Sequence, residues 1–160
     1  MVIRPSQTNS ATEAANLATM RKMIRAFNTG DPALVGECAN KDALVSYSPH
    51  EPGTEVQTNE IRVQRMAFPD LYYQEELTIA EGDMVFLAWQ STGTHLGPLF
   101  GTDATGVRFE LHGGEVARFD ANNMIIEHWD QWTKPRIESH LLFGTLTPEY
   151  QNKLRAGGLL

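Results

Sequence analysis

The run Glu127-His128-Trp129-Asp130-Gln131-Trp132 sets an imidazole beside carboxylates and aromatic rings. That combination suits acid/base chemistry. A carboxylate shielded from water holds its proton more readily, and a neighbouring imidazole can donate, accept or orient. Side chains two apart on a strand point the same way. Read as a strand, the run puts Ile126, His128, Asp130 and Trp132 on one face and Ile125, Glu127, Trp129 and Gln131 on the other. A well-packed hairpin with a salt bridge could carry the same residues, so the rest of the chain must decide.

The elements that would position this run are legible in outline. A strand over about 109–119 and another over about 124–132 flank Asp120-Ala121-Asn122-Asn123, whose asparagines accept left-handed dihedrals and so suit a tight turn. Upstream, 72–80 and 84–95 read as strands around the turn Glu81-Gly82-Asp83. From Thr12 the residues Ala15, Leu17, Met20, Met23, Ile24 and Phe27 keep a helical period, which Gly30-Asp31-Pro32 ends. A short helix over 32–39, a strand over 43–48 and a helix over 55–67 complete the expectation, and residues 1–11 read as a flexible start. Helices first and four antiparallel strands after them make an α+β fold: a curved sheet with helices on one face, in a single domain over 1–160.

Composition narrows the function classes. A net charge of -7, with the basic residues scattered, argues against nucleic acid and anionic membrane as partners. No window approaches the roughly 18 apolar residues that would span a bilayer. The single cysteine, Cys38, cannot form an internal disulfide, and the first fifteen residues lack the apolar core of a secretory signal, so the expected home is cytoplasmic.

The order AFNTGD (26–31), YSPHEP (47–52), FPDL (68–71), AEGD (80–83), STGTHLG (91–97), ATGVRFE (104–110) and VARFDANNMIIEHWDQW (116–132) resembles the SnoaL-like polyketide cyclases, also called ester cyclases, of the NTF2-like superfamily. The resemblance implies a cone-shaped barrel in which a curved antiparallel sheet wraps a long N-terminal helix around an apolar pocket. It further implies a homodimer, through a sheet face to which Trp129 and Gln131 would belong. Ring-closing members use an aspartate late in the EHWD-type segment, a position that matches Asp130, opposite a polar residue on the preceding strand that is often histidine. Here Glu115 stands at that place. His112 faces the other way unless Gly113-Gly114 carry a bulge.

The resulting expectation is an acid/base enzyme that closes a ring on a hydrophobic, polyketide-like molecule by an intramolecular aldol step, with no cofactor. Asp130, His128 and Glu115 are the catalytic candidates. His50, His95, Trp132, Tyr47, Ile126 and Phe100 are the candidates to line the pocket. His128 and Asp130 with His50 or His95 could hold a metal, but no tight His/Cys spacing supports one. Isomerisation, dehydration or epoxide opening in the same pocket, and a non-catalytic carrier, stand as the alternatives, since fold does not fix function.

Overall fold

A helix of nineteen residues, α1 (Ala11–Thr29), lies across the inside of the sheet and is tied down at both ends. In the computed structural model the described residues are 10–45, 53–130 and 156. Of the expected flexible start, residues 1–9 lie outside them, as do the candidates Tyr47, His50 and Trp132, while Ser10 and Ala11 instead cap and begin α1. At the start of α1, the Ser10 hydroxyl accepts the Glu13 amide at 3.2 Å and the Glu13 carboxylate accepts the Ser10 amide at 2.7 Å. This reciprocal cap satisfies donors that the first turn otherwise leaves open. At the other end Gly30 takes the left-handed φ of 68° that releases the chain. Arg65, reaching over from the next long helix, donates to the terminal carbonyls of Phe27 and Asn28.

The face that α1 turns inward carries Met20, Met23, Ala26 and Phe27, all buried. Asn16 and Asn28 are its polar anchors. The Asn16 amide donates to the Gly82 carbonyl at 3.2 Å and accepts from Asn123 at 2.7 Å. Asn28 pairs with both backbone groups of Tyr73, at 2.7 and 2.8 Å. One helix is therefore registered against both hairpin turns and the start of the sheet.

A short 3-10 helix (Pro32–Glu37) follows, then β1 (Ala39–Val45), α2 (Glu55–Ala67), β2 (Tyr72–Glu81), β3 (Met84–Thr94), β4 (Arg108–Phe119) and β5 (Ile125–Asp130). The sheet order is β1-β5-β4-β3-β2. β2 to β5 are antiparallel neighbours, as the sequence implies, while β1 adds to β5 in parallel. β1 also begins four residues before the expected 43–48 strand. The Cys38 carbonyl accepts the Ile125 amide at 2.8 Å and so opens that pairing early. Among the described residues no helix is long and apolar enough to cross a membrane.

β3 is the sheet's spine. Val85, Leu87, Trp89, Ser91 and Gly93 are buried, in strict alternation with partly exposed neighbours. Its register with β4 is unbroken from Met84–Arg118 to Thr94–Arg108. There is accordingly no bulge at Gly113-Gly114. His112 points outward to Glu76 at 3.1 Å, and Glu115 points inward. Gly113 is there for another reason: a Cβ on it would sit 2.4 Å from the Trp89 ring. The indole lies where a side chain would stand.

Candidate active site

Four strands and α1 each contribute to one small cavity under the curved sheet. Ile24 and Phe27 come from α1, Tyr73 from β2 and Trp89 from β3. Glu115 comes from β4, and His128 and Asp130 from β5. The aromatic wall is built edge to face. Phe27 and Tyr73 meet at 5.8 Å and 73°, Tyr73 and Trp89 at 5.2 Å and 86°. These are the offsets that ring quadrupoles favour. The cavity is tight, about 10 Å³, room for the centre of one water molecule.

The polar floor follows from strand register. Glu115 and Asp130 are direct cross-strand partners, and His128 pairs with Ala117 one pleat away. Directly opposed residues of an antiparallel pair bring their Cβ atoms to within about 5 Å. The sheet thus sets two carboxylates face to face with an imidazole beside them. His128 Nε2 lies 2.8 Å from Glu115 Oε2, with both side chains almost wholly buried. The other oxygen, Glu115 Oε1, is buried with no hydrogen-bond partner.

A buried carboxylate oxygen without a donor is costly, so Glu115 Oε1 at the cavity wall is a candidate acceptor for a bound molecule. Burial works against a charged His128. The hydrogen bond and charge of Glu115, joined by the charges of Asp130 and Glu60, outweigh it and hold the imidazole above its ordinary pKa. Burial pushes the Tyr73 phenol well above its usual value, and the charges of Asp130, Glu60 and Glu115 add to this. It therefore stays protonated and donates to Gln64 Oε1 at 3.1 Å.

α2 closes this floor from above, and sequence reasoning missed its part. Gln57, with no exposed surface, places its amide 3.0 Å from His128 Nδ1. The two are 71 residues apart in the chain, and nothing local in EVQTNE marks a glutamine as a histidine's partner.

Three expected lining residues are elsewhere. Ile126 does not share the His128 face, because β5 carries a bulge. Arg118 pairs with Glu127 and Phe119 with Ile125, so Ile126 has no cross-strand partner. The extra residue inverts parity before it, and Ile125 is the buried side chain. His95 is buried but away from the cavity, with its ring against Phe68 and its Nδ1 3.0 Å from the Thr105 hydroxyl, where it holds the loop after β3. Phe100 is 43% exposed with a φ of 51°, in the turn between Leu99 and Thr102, and is not among the residues that line this cavity. Among the described residues no group of His, Cys, Asp and Glu has the geometry to hold a metal ion.

The family model for SnoaL-like polyketide cyclases matches residues 18–140, which span both the sheet and this floor. The chain belongs to the SnoaL-like polyketide cyclase family. Among solved structures, AclR from Streptomyces galilaeus, a candidate hydroxylase, is 27% identical with a TM-score of 0.71, over 82% of this chain and 98% of its own. A candidate SnoaL-like polyketide cyclase from Jannaschia shares 19% identity with a TM-score of 0.75, over 88% and 99%. IdmH from Streptomyces antibioticus, a candidate polyketide cyclase, shares 24% with a TM-score of 0.65, over 80% and 98%. No protein of curated description matches the chain. For the last two structures the likeness is one of fold: the mixed, curved five-stranded sheet with helices is the NTF2-like architecture of SnoaL-like proteins.

Proposed function

We propose that the chain is a cofactor-independent enzyme that closes a ring on a hydrophobic, polyketide-like substrate by acid/base catalysis in this cavity. The observation that carries the reading is the buried Glu115 Oε1, unpartnered at a cavity wall, directly across the strands from Asp130. Asp130 is the base, the role that family membership favours for that position. Its carboxylate takes a proton from the carbon next to a carbonyl, and the C–H electron pair becomes an enolate. The enolate carbon attacks a second carbonyl of the same molecule and forms the new C–C bond. The resulting alkoxide takes back the proton from Asp130, so the product is an isomer of the substrate and nothing else is consumed.

The unpartnered Glu115 Oε1 accepts a hydroxyl proton of the substrate beside the reacting carbonyl, and the Glu115–His128 bond holds that carboxylate in place. Phe27, Tyr73 and Trp89 keep water out. The test is a ring-closure assay on linear aryl polyketide esters, with Asp130→Asn and Glu115→Gln. Both should bind substrate and lose turnover by at least about 100-fold, the usual worth of a positioned acid/base group. Unchanged turnover in Asp130→Asn removes this mechanism.

A second reading draws on the tightness of the cavity, well below the roughly 300–1,000 Å³ of ordinary ligand pockets. A smaller substrate, isomerised or dehydrated by the same groups, would displace less of the aromatic wall. We further propose a cytoplasmic homodimer. Its support is the outer sheet face, where Ile79, Phe86, Val116 and Trp129 follow one another in register across β2 to β5. Ile79 is 55% and Trp129 38% exposed.

A further inference from the structure

The buried amide of Gln57 has a role that the proposed chemistry leaves open. Its nitrogen faces His128 Nδ1 at 3.0 Å, while its oxygen, Oε1, is buried with no hydrogen-bond partner. So placed, the amide donates to an unprotonated Nδ1, and His128 must be the neutral tautomer that gives its Nε2 proton to Glu115. A protonated His128 carries a hydrogen on Nδ1 as well and needs an acceptor there. The only atom of Gln57 that can supply one is the orphaned Oε1, and a half-turn of the terminal amide brings it to the same spot. The oxygen and nitrogen of an amide are nearly equal in shape, so neither arrangement disturbs the packing.

We propose that Gln57 is a positioning residue that holds the His128 ring in both of its charge states, its amide turning over as the imidazole gains or loses its Nδ1 proton. The inference rests on the reading of the cavity as an acid/base site, where the Glu115–His128 pair must keep its place in whichever charge state the ring takes. Among the described residues, the charged groups that act on His128 are Glu115 from β4, Asp130 from its own strand, and Glu60 beside Gln57 on α2. All three are acids, so each favours the charged ring. Gln57 is the contact suited to both forms. Its oxygen gives the cation a charge-assisted bond, stronger than the one its nitrogen gives the neutral ring. A hydrocarbon at this position should therefore lower the pKa of His128, and a carboxylate should raise it.

The experiment needs no substrate, which separates it from the test of the reaction. His128 is followed by nitrogen-15 NMR through a pH titration of the full chain, for wild type, Gln57→Leu and Gln57→Glu. In wild type at high pH the neutral ring should carry its proton on Nε2. Gln57→Leu should shift the titration down by about half to one pH unit, the difference between a charged and a neutral hydrogen bond, with the neutral ring still protonated on Nε2 by its bond to Glu115. Gln57→Glu should shift it up. A neutral wild-type ring protonated on Nδ1 overturns the proposal without any variant. So do Leu and Glu variants that both fold and titrate as wild type, or that shift in the same direction.

Discussion

Replacing Glu115 by Gln should destabilise the protein in a way that depends on pH. In the fold, His128 and Glu115 form a pair at 2.8 Å with side-chain exposures of 2% and 6%. His128 is held above its ordinary pKa. A group raised in the folded state adds stability that is fully present below its unfolded value, about 6.5, and is lost as the pH rises through its folded value. Glu115→Gln removes the charge and keeps the shape. Below about pH 6 the cation loses its partner, and breaking a buried pair costs about 3–5 kcal/mol. The imidazole escapes the upper part of that range by giving up its proton, so about 3 kcal/mol is expected.

At high pH the ring is neutral in both proteins and the amide carbonyl of the variant still accepts its Nε2 proton, so the penalty falls to about 1 kcal/mol or less. In a chain of this length these figures correspond to Tm losses of about 6–12 °C near pH 6 and about 2–4 °C near pH 9. Thermal unfolding of both proteins across that range is the assay. A penalty that stays constant, or grows as the pH rises, would refute the buried, charged pair.

Other expectations are quicker to check. Gly113→Ala drives a Cβ to 2.4 Å from the Trp89 ring, and overpacking on that scale should cost about 1–3 kcal/mol in urea unfolding; a neutral result would mean that Trp89 does not lie over β4. Cys38 is a buried free thiol pushed up to about 11, largely by burial. Its labelling by a thiol reagent near pH 8 should be at least about 100-fold slower in the native protein than in urea, and equal rates would contradict its burial. Trp129→Glu, on the exposed row of the outer sheet face, should convert a dimer into a monomer in sedimentation with the His128 titration unchanged. A wild-type protein that sediments as a monomer at high concentration disposes of the dimer.

Residues with short-range signatures were legible in the sequence, and those that depend on distant partners were not. The period of Met20, Met23 and Phe27 marks α1, and Gly30 marks its end, because helices are written in spacing and caps. Parity counted along β5 places His128 and Asp130 on one face, and the resemblance sets Glu115 opposite them, where it stands because β4 runs without a break through its glycines. The same counting fails for Ile126, where one extra residue shifts the alternation and leaves no trace in composition. The parallel pairing of β1 with β5 is equally silent, because parallel partners meet through intervening structure rather than a turn. His95 and Phe100 stand in loops whose direction sequence does not encode. Gln57 is invisible for a related reason, as its meaning comes wholly from a histidine on another element.

The most direct measurement of the central claim is the washing-in of deuterium. The protein is incubated in D2O with an aryl ketone ester whose activated carbon exchanges slowly on its own, and label at that carbon is followed by NMR. If Asp130 and the Glu115–His128 floor form a carbon-acid site, wild type accelerates exchange at that one carbon and Asp130→Asn abolishes the acceleration while still binding the ester. Acceleration that survives in a folded Asp130→Asn, or an ester that binds wild type in the cavity and is never labelled, would contradict it.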